Sequence, residues 1–192
     1  MVSAKRSPVG RPDAELVAWA AGGDRAAFGE LVRRHSAAVR ALLRRMGAQP
    51  SLADDIAQDA FVVAFQKIGA LSNGAAFLPW IKQTAARLYI RRWRKERRYD
   101  PMAETPEPDP DEASSHHGAV AARVDLEQAM KALTPAQRLC VSLCFGAELS
   151  HAEAADVLNV PLGTVKSHVK RGLDKLRAEF SAAPQPGSHT YG

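Results

Sequence analysis

The chain has 192 residues, is 46% hydrophobic and carries a formal net charge of +5. That length allows one or two packed domains, and the charge is compatible with a nucleic-acid partner without requiring one. No apolar run approaches the roughly 20 residues that span a bilayer, so membrane insertion is excluded from the expectations.

The basic start, with Lys5, Arg6 and Arg11, has no apolar segment behind it and does not read as a secretory leader. Residues 1–12 read as a loose tail. Cys140 and Cys144, four apart on one helix face, make no disulfide framework and fit a reducing cytoplasm.

Asp13 is placed to cap a first helix carrying Leu16, Val17 and Trp19, and Gly22-Gly23-Asp24 ends it and caps the next. The second helix is predicted over about Arg25 to Met46, with Phe28, Leu31, Val32, Val39, Leu42, Leu43 and Met46 at helical spacing. Gly47 to Pro50 breaks it. Ser51 is the expected cap of a third helix, with Asp54 and Asp55 in its first turn, where acid complements the helix dipole. Its inner face is Ile56, Ala60, Val63 and Ala64. Its outer face carries Asp55, Gln58 and Asp59, with Phe61 and Phe65 close by. Spacing alone reads that face as a solvated acidic surface.

A short loop over Gly69 to Ala76 holds Ser72, Asn73 and Gly74. A fourth helix starts at about Phe77 and runs through Trp80, Ile81, Thr84, Ala85, Leu88 and Tyr89. It ends in a basic run of Arg87, Arg91, Arg92, Arg94, Lys95, Arg97 and Arg98, with Trp93 inside it. Cations follow phosphates and rings stack on unpaired bases, so this mixture suits a single strand. Trp80 is equally compatible with the core and with stacking. From Asp100 to Gly118 there are four prolines and six acidic residues with almost no large apolar side chain. Such a segment cannot bury enough surface to offset its ordering entropy, and it reads as a flexible linker. His116-His117 has no companion ligands, and no metal site or cofactor is expected.

A second domain is expected from about Ala119, opening with an amphipathic helix carrying Leu126, Met130 and Leu133. Thr134-Pro135-Ala136-Gln137 is a capping box with proline at the first helical position. The helix after it carries Leu139, Val141, Leu143 and Phe145, with the two cysteines as small hydrophobes. Ser150 and Glu153 form a second capping box. Ala154, Ala155, Val157 and Leu158 line a small inner face, Asn159 tolerates the left-handed turn, and Pro161 can start the next helix. That helix buries Leu162, Val165, Val169, Leu173 and Leu176. It presents Thr164, Lys166, Ser167, His168, Lys170 and Arg171 outward. A short helix, a tight turn and a basic second helix form the helix-turn-helix that lays its second helix in the DNA major groove. Residues 182–192 read as a tail.

The whole pattern resembles the extracytoplasmic-function sigma factors of bacterial RNA polymerase, a branch of the sigma-70 family, over about Asp13 to Phe180. The resemblance rests on Leu133-Thr-Pro-Ala-Gln-Arg138, Leu149-Ser150, Gly163-Thr-Val-Lys-Ser167 and Arg171 in the second half. In the first half it rests on Gly23-Asp24, Phe28, Ala53-Asp-Asp-Ile-Ala-Gln-Asp-Ala-Phe61, Phe77 and Trp80. It implies an all-α chain of two small helical domains: region 2 over 13–99 and region 4 over 119–181, joined by the acidic linker at 100–118. It implies that Asp55, Gln58, Asp59 and Phe61 face the clamp helices of the polymerase's largest subunit. Ser72, Asn73, Phe77, Trp80, Arg87 and Arg91 would receive the melted strand of the −10 element, where lost stacking of an extruded base costs a few kcal/mol, offset by pocket contacts. Thr164, Lys166, Ser167, His168, Lys170 and Arg171 would read the −35 element. The linker would run toward the RNA exit path.

The sequence departs from the family at His168, where arginine is usual, at Leu173 and Asp174, and at Ala86, Arg87 and Arg91, so its base contacts are its own. No nucleophile, paired carboxylates or phosphate loop points to catalysis. The expected function is that of a cytoplasmic, non-enzymatic specificity subunit, which binds core RNA polymerase and promoter DNA, directs transcription initiation and answers to an anti-sigma factor. A one-component DNA-binding regulator and a sigma mimic that titrates an anti-sigma factor are the competing readings.

Overall fold

The computed structural model describes residues 7–96 and 126–182, and every regular element among them is helical. The expected linker at 100–118 lies outside the described residues.

Four helices build the N-terminal half: α1 (Asp13–Ala21), α2 (Arg25–Arg45), α3 (Pro50–Lys67) and α4 (Phe77–Glu96). Asp24 starts α2 by accepting from the amides of Ala26 and Ala27. Gly23, at φ +95°, makes the preceding turn that an L side chain would strain. Two caps differ from expectation. Pro12 occupies the position before α1, and Asp13 is its first residue. The Asp13 carboxylate instead bonds Arg34 at 3.1 Å and His35 at 2.6 Å, tying α1 to α2. Likewise Gln49 precedes α3 and Pro50 is its first residue, so Ser51 lies inside the helix; the missing proline amide costs nothing there.

Within the expected tail, Arg11 is held against the helices: its carbonyl accepts from Arg34 and its guanidinium sits 5.7 Å over the Trp19 ring. Between α3 and α4 the chain makes two 3₁₀ turns, Ile68–Ala70 and Gly74–Ala76. Leu16, Leu31, Leu42, Leu43, Ile56, Phe77 and Ile81 are essentially fully buried, each contributing about 1.5–3 kcal/mol relative to exposure.

The C-terminal half contains α5 (Leu126–Ala129), a 3₁₀ turn at Met130–Ala132, α6 (Pro135–Val141), α7 (His151–Leu158) and α8 (Leu162–Ala182). Thr134 and Gln137 close the expected capping box on α6. After Val141 the helix widens into a π turn over Ser142–Gly146. Phe145 and Leu126 are exposed, and so is Leu162, against the expectation that α8 buries it. Cys140 is buried and Cys144 half-buried. Ala129, Met130, Leu133, Val141 and Leu176 form a small cluster of their own. The main core is continuous across both halves, joining Leu42, Ile81 and Tyr89 to Leu139, Leu143, Ala147 and Leu149.

Candidate nucleic-acid and polymerase interfaces

The helix-turn-helix is fixed by local chemistry. The Ser150 hydroxyl accepts from the Glu153 amide at 3.2 Å, and the Glu153 carboxylate accepts from the Ser150 amide at 2.8 Å. Asn159 ends α7 in the left-handed conformation, at φ 53°. The Pro161 carbonyl then accepts from Thr164 and Val165, so the proline stands just before the first residue of α8 rather than at it. Ala154 and Ala155 are buried on the inner face of α7, and Val165 and Val169 on that of α8.

The outer face of α8 presents Lys166, Lys170 and Arg171 exposed, with Thr164, Ser167 and His168 half-buried between them. Arg171 donates to the Ser167 hydroxyl at 2.8 Å, one turn back. Gly172 sits where α8 crosses α6: a Cβ there would lie 2.8 Å from a Val141 methyl. No local pattern signals this crossing, because a glycine within a helical pattern also reads as a plain interruption.

In the N-terminal half, Asn73 accepts from the Ala75 amide at 3.1 Å and organises the turn before α4. Gly74 lets that turn lie directly on α1, since a Cβ would meet the Ala14 backbone at 2.8 Å. Ser72 and Asn73 are exposed. Phe77 is 0% exposed, with ring centroids 5.6 Å from His35 and 5.9 Å from Trp80. It therefore presents no surface to a strand, a correction to its expected place among the −10 residues. Its bulk anchors the first turn of α4 and props Trp80, which is half-buried. Arg87 and Arg91 are exposed, and Arg87 stands ten residues along α4 from Phe77, about 15 Å at 1.5 Å per residue.

Along α3, Asp55, Gln58 and Asp59 are exposed, whereas Asp54 is bonded to Arg40 at 2.7 Å. Phe61 is only 6% exposed. It lines an apolar groove with Phe28, Val62, Phe65 and Gln66, in which Phe28 and Phe65 meet edge to face at 5.0 Å. Val62 and Phe65, at 56% and 44% exposure, supply the outward apolar surface. Helical periodicity places positions 55, 58, 59, 62, 65 and 66 on one side of the helix, so acid at one end passes into apolar surface at the other. Helical spacing sets Phe61 and Phe65 one turn apart beside the acidic face and does not distinguish which of the two turns inward.

Residues 31–99 match the family model of Sigma-70 region 2, and residues 129–178 match that of Sigma-70, region 4. The chain is 32% identical over 161 residues to the ECF RNA polymerase sigma factor RpoE of Cereibacter sphaeroides, covering 82% of this chain and 88% of the relative. It belongs to the ECF sigma factors of RNA polymerase. A second relative, the RNA polymerase sigma factor NccH of Alcaligenes xylosoxydans, is 33% identical over 86% of this chain and 93% of its own length. The fold is also that of the sigma factor RpoE of Bartonella quintana, solved in complex with the anti-sigma factor NepR. That likeness has a TM-score of 0.52 at 21% identity, over 82% of this chain and 98% of that one.

Region 2 of this sigma factor thus takes in most of α2 with α3 and α4, and region 4 takes in the elements from the end of α5 through α8. Two of the three predicted faces, on α3 and on the loop and α4, lie in region 2, and the third lies on α8 of region 4. Among the described residues no group of three or more His, Cys, Asp or Glu side chains is arranged to hold a metal ion, and no helix is long and apolar enough to cross a membrane.

Proposed function

We propose that this sigma factor grips core RNA polymerase through the exposed side of α3, with Asp55, Gln58 and Asp59 supplying charge and polarity and Val62 and Phe65 supplying apolar contact. Phe61 supports the floor of that surface. Ser72, Asn73, Trp80, Arg87 and Arg91 take the melted −10 strand, and Thr164, Lys166, Ser167, His168, Lys170 and Arg171 read the −35 duplex. The domain limits at 13–99 and 119–181 belong to the same reading, as does an anti-sigma partner. The observation that carries it is the α3 surface. A one-component regulator has no use for a charged and apolar docking face on the half that lacks the helix-turn-helix.

The RpoE and NepR complex supports control by a protein partner. In a transcription assay with purified core polymerase and promoter-bearing DNA, this protein should bind core and start transcripts at defined sites. Absence of both would overturn the proposal in favour of a one-component regulator. Core binding without initiation would favour a mimic that titrates an anti-sigma factor.

A further inference from the structure

One concave surface takes no part in the contacts proposed with polymerase and promoter. It lies where the end of α2 and the start of α3 meet the 3₁₀ turn and α6 of region 4. The chain is tightly packed around the end of α2. A Cβ on Gly146 would come within 2.6 Å of a Leu42 methyl, and one on Gly47 would lie 3.7 Å from the Arg138 guanidinium. The cleft beside Gly47 holds about 200 Å³. Arg44 and Arg45 line it from α2, Gln49 and Pro50 from the start of α3, and Lys131 and Arg138 from region 4. Arg45 and Arg138 are half-buried, and Arg44 and Lys131 are exposed. Among the described residues no carboxylate and no aromatic ring lines it.

Four cations around one small cleft are not an arrangement that stability favours. Like charges at short range repel, and α3 begins there with the positive pole of its dipole. Acid suits a helix start, yet the first turn of α3 holds none, and Asp54 beyond it is taken by Arg40 at 2.7 Å. Arg138 shows the imbalance most directly. Its Nε donates to the Met130 carbonyl at 2.9 Å, and its Nη2 to the carbonyls of Lys131 and Leu133 at 3.3 and 3.4 Å. These dipoles fix the plane of the guanidinium and supply no counter-charge. Its Nη1 makes none of these bonds and lies on the Gly47 side of the cleft. Burial pulls the Arg138 pKa below its ordinary value, with Tyr89 acting in the opposite sense. That is the behaviour of a partly desolvated charge with no acid beside it.

We infer that the cleft between Arg44, Arg45, Lys131 and Arg138 is an anion site that takes a diphosphate group, free or carried by a nucleotide. The fork of Arg138 is already set in place by its three carbonyls, and a guanidinium fork matches phosphate oxygens in two-bonded geometry. Arg44 and Arg45 supply charge from one wall and Lys131 from the other, so two linked phosphates engage both walls where a single phosphate engages fewer cations. Strand-binding grooves use rings to stack bases, and this cleft has none, so it recognises the phosphates and leaves a base or sugar in solvent. A duplex carries its phosphates on a convex surface and meets the exposed ridge of α8 rather than a concave cleft.

The test is a calorimetric titration of the full chain with pyrophosphate at physiological ionic strength. Pyrophosphate should bind at a single saturable site. Arg45→Gln combined with Lys131→Gln should weaken it by about tenfold or more, since each removes a charged donor, whereas Lys166→Gln with Lys170→Gln on α8 should leave it unchanged. Orthophosphate should bind more weakly than pyrophosphate, and adenosine diphosphate within a few-fold of it. No saturable heat at millimolar pyrophosphate would overturn the site, as would equal weakening by the two double variants. Adenosine diphosphate binding far more tightly than pyrophosphate would overturn recognition of phosphate alone. A labelled single-stranded oligonucleotide that needs Arg45 and Lys131, and that pyrophosphate fails to displace, would make the cleft a nucleic-acid surface instead. Circular dichroism checks the fold of each variant. If the cleft variant does not fold, Lys131→Gln alone decides, because that side chain is exposed, and unchanged affinity in it would sink the proposal. These readouts need neither polymerase nor promoter, so they stand apart from the sigma function.

Discussion

Phe77 and Trp80, three residues apart on α4, separate support from contact. Phe77 is sealed between His35 and Trp80, and truncating a fully buried phenylalanine costs about 3–5 kcal/mol. Phe77→Ala should therefore lower the urea midpoint sharply, while Trp80→Ala should cost less stability and lose promoter opening in a permanganate footprint. Equal loss of stability in both variants would return Trp80 to the core. Glu30 illustrates a titrating residue at this scale. It is 6% exposed and bonds Arg33 at 2.7 and 2.8 Å and Arg34 at 2.8 Å. These two guanidiniums, Arg33 first, hold its carboxyl down from an ordinary 4.5 to about 2. A depressed carboxylate contributes stability that is complete above the unfolded value and is lost as pH falls through the folded one. Glu30→Gln should thus lower the urea midpoint at pH 7, and the gap to wild type should close between about pH 4.5 and 2. A gap that stays constant down to pH 2.5 would contradict the assignment.

Single elements are where regional function can be separated. The capping box on α7 holds the first helix of the helix-turn-helix, and removing a serine cap costs about 1 kcal/mol. Ser150→Ala should lower the stability of region 4 by that amount and weaken −35 binding only as far as folding is lost. On the outer face of α8, Lys166, Lys170 and Arg171 act through charge: Lys170→Ala should reduce the slope of log affinity against log salt by about 1, read by anisotropy on −35 duplex at several salt concentrations. An unchanged slope would remove Lys170 from the phosphate contacts. Lys166→Ala or Arg171→Ala should weaken −35 binding and spare core binding, whereas Asp55→Ala with Asp59→Ala should do the opposite in a core-polymerase pull-down. Equal loss of both activities in either variant would argue against separate faces.

At the scale of the whole molecule, one continuous core joins both regions. Trp19, Trp80 and Trp93 all lie in the N-terminal half, so tryptophan fluorescence reports that half alone, while far-ultraviolet circular dichroism reports every helix. A single cooperative unit unfolds with coincident transitions by different probes. The two urea curves of the free protein should superimpose. A fluorescence transition displaced from the dichroism transition would show regions that unfold independently.

Short-range chemistry is legible in the amino-acid order alone. Asp24, the Thr134–Gln137 and Ser150–Glu153 boxes and the left-handed Asn159 each set an element boundary with atoms a few residues away, and they are found where their spacing puts them. The α8 cations were legible for the same reason, because helical periodicity alone sorts inside from outside. Features that depend on a distant neighbour emerge only from the folded chain. Asp13 bonds Arg34 and His35 instead of capping its own helix. Phe77 is buried while Val62 and Phe65 are exposed, because an aromatic's burial depends on which helix covers it. Gly172 and Gly146 mark close crossings that no local pattern encodes. Packing is a property of surfaces brought together across the chain, and the meeting of α4 with α7 appears only once both have folded.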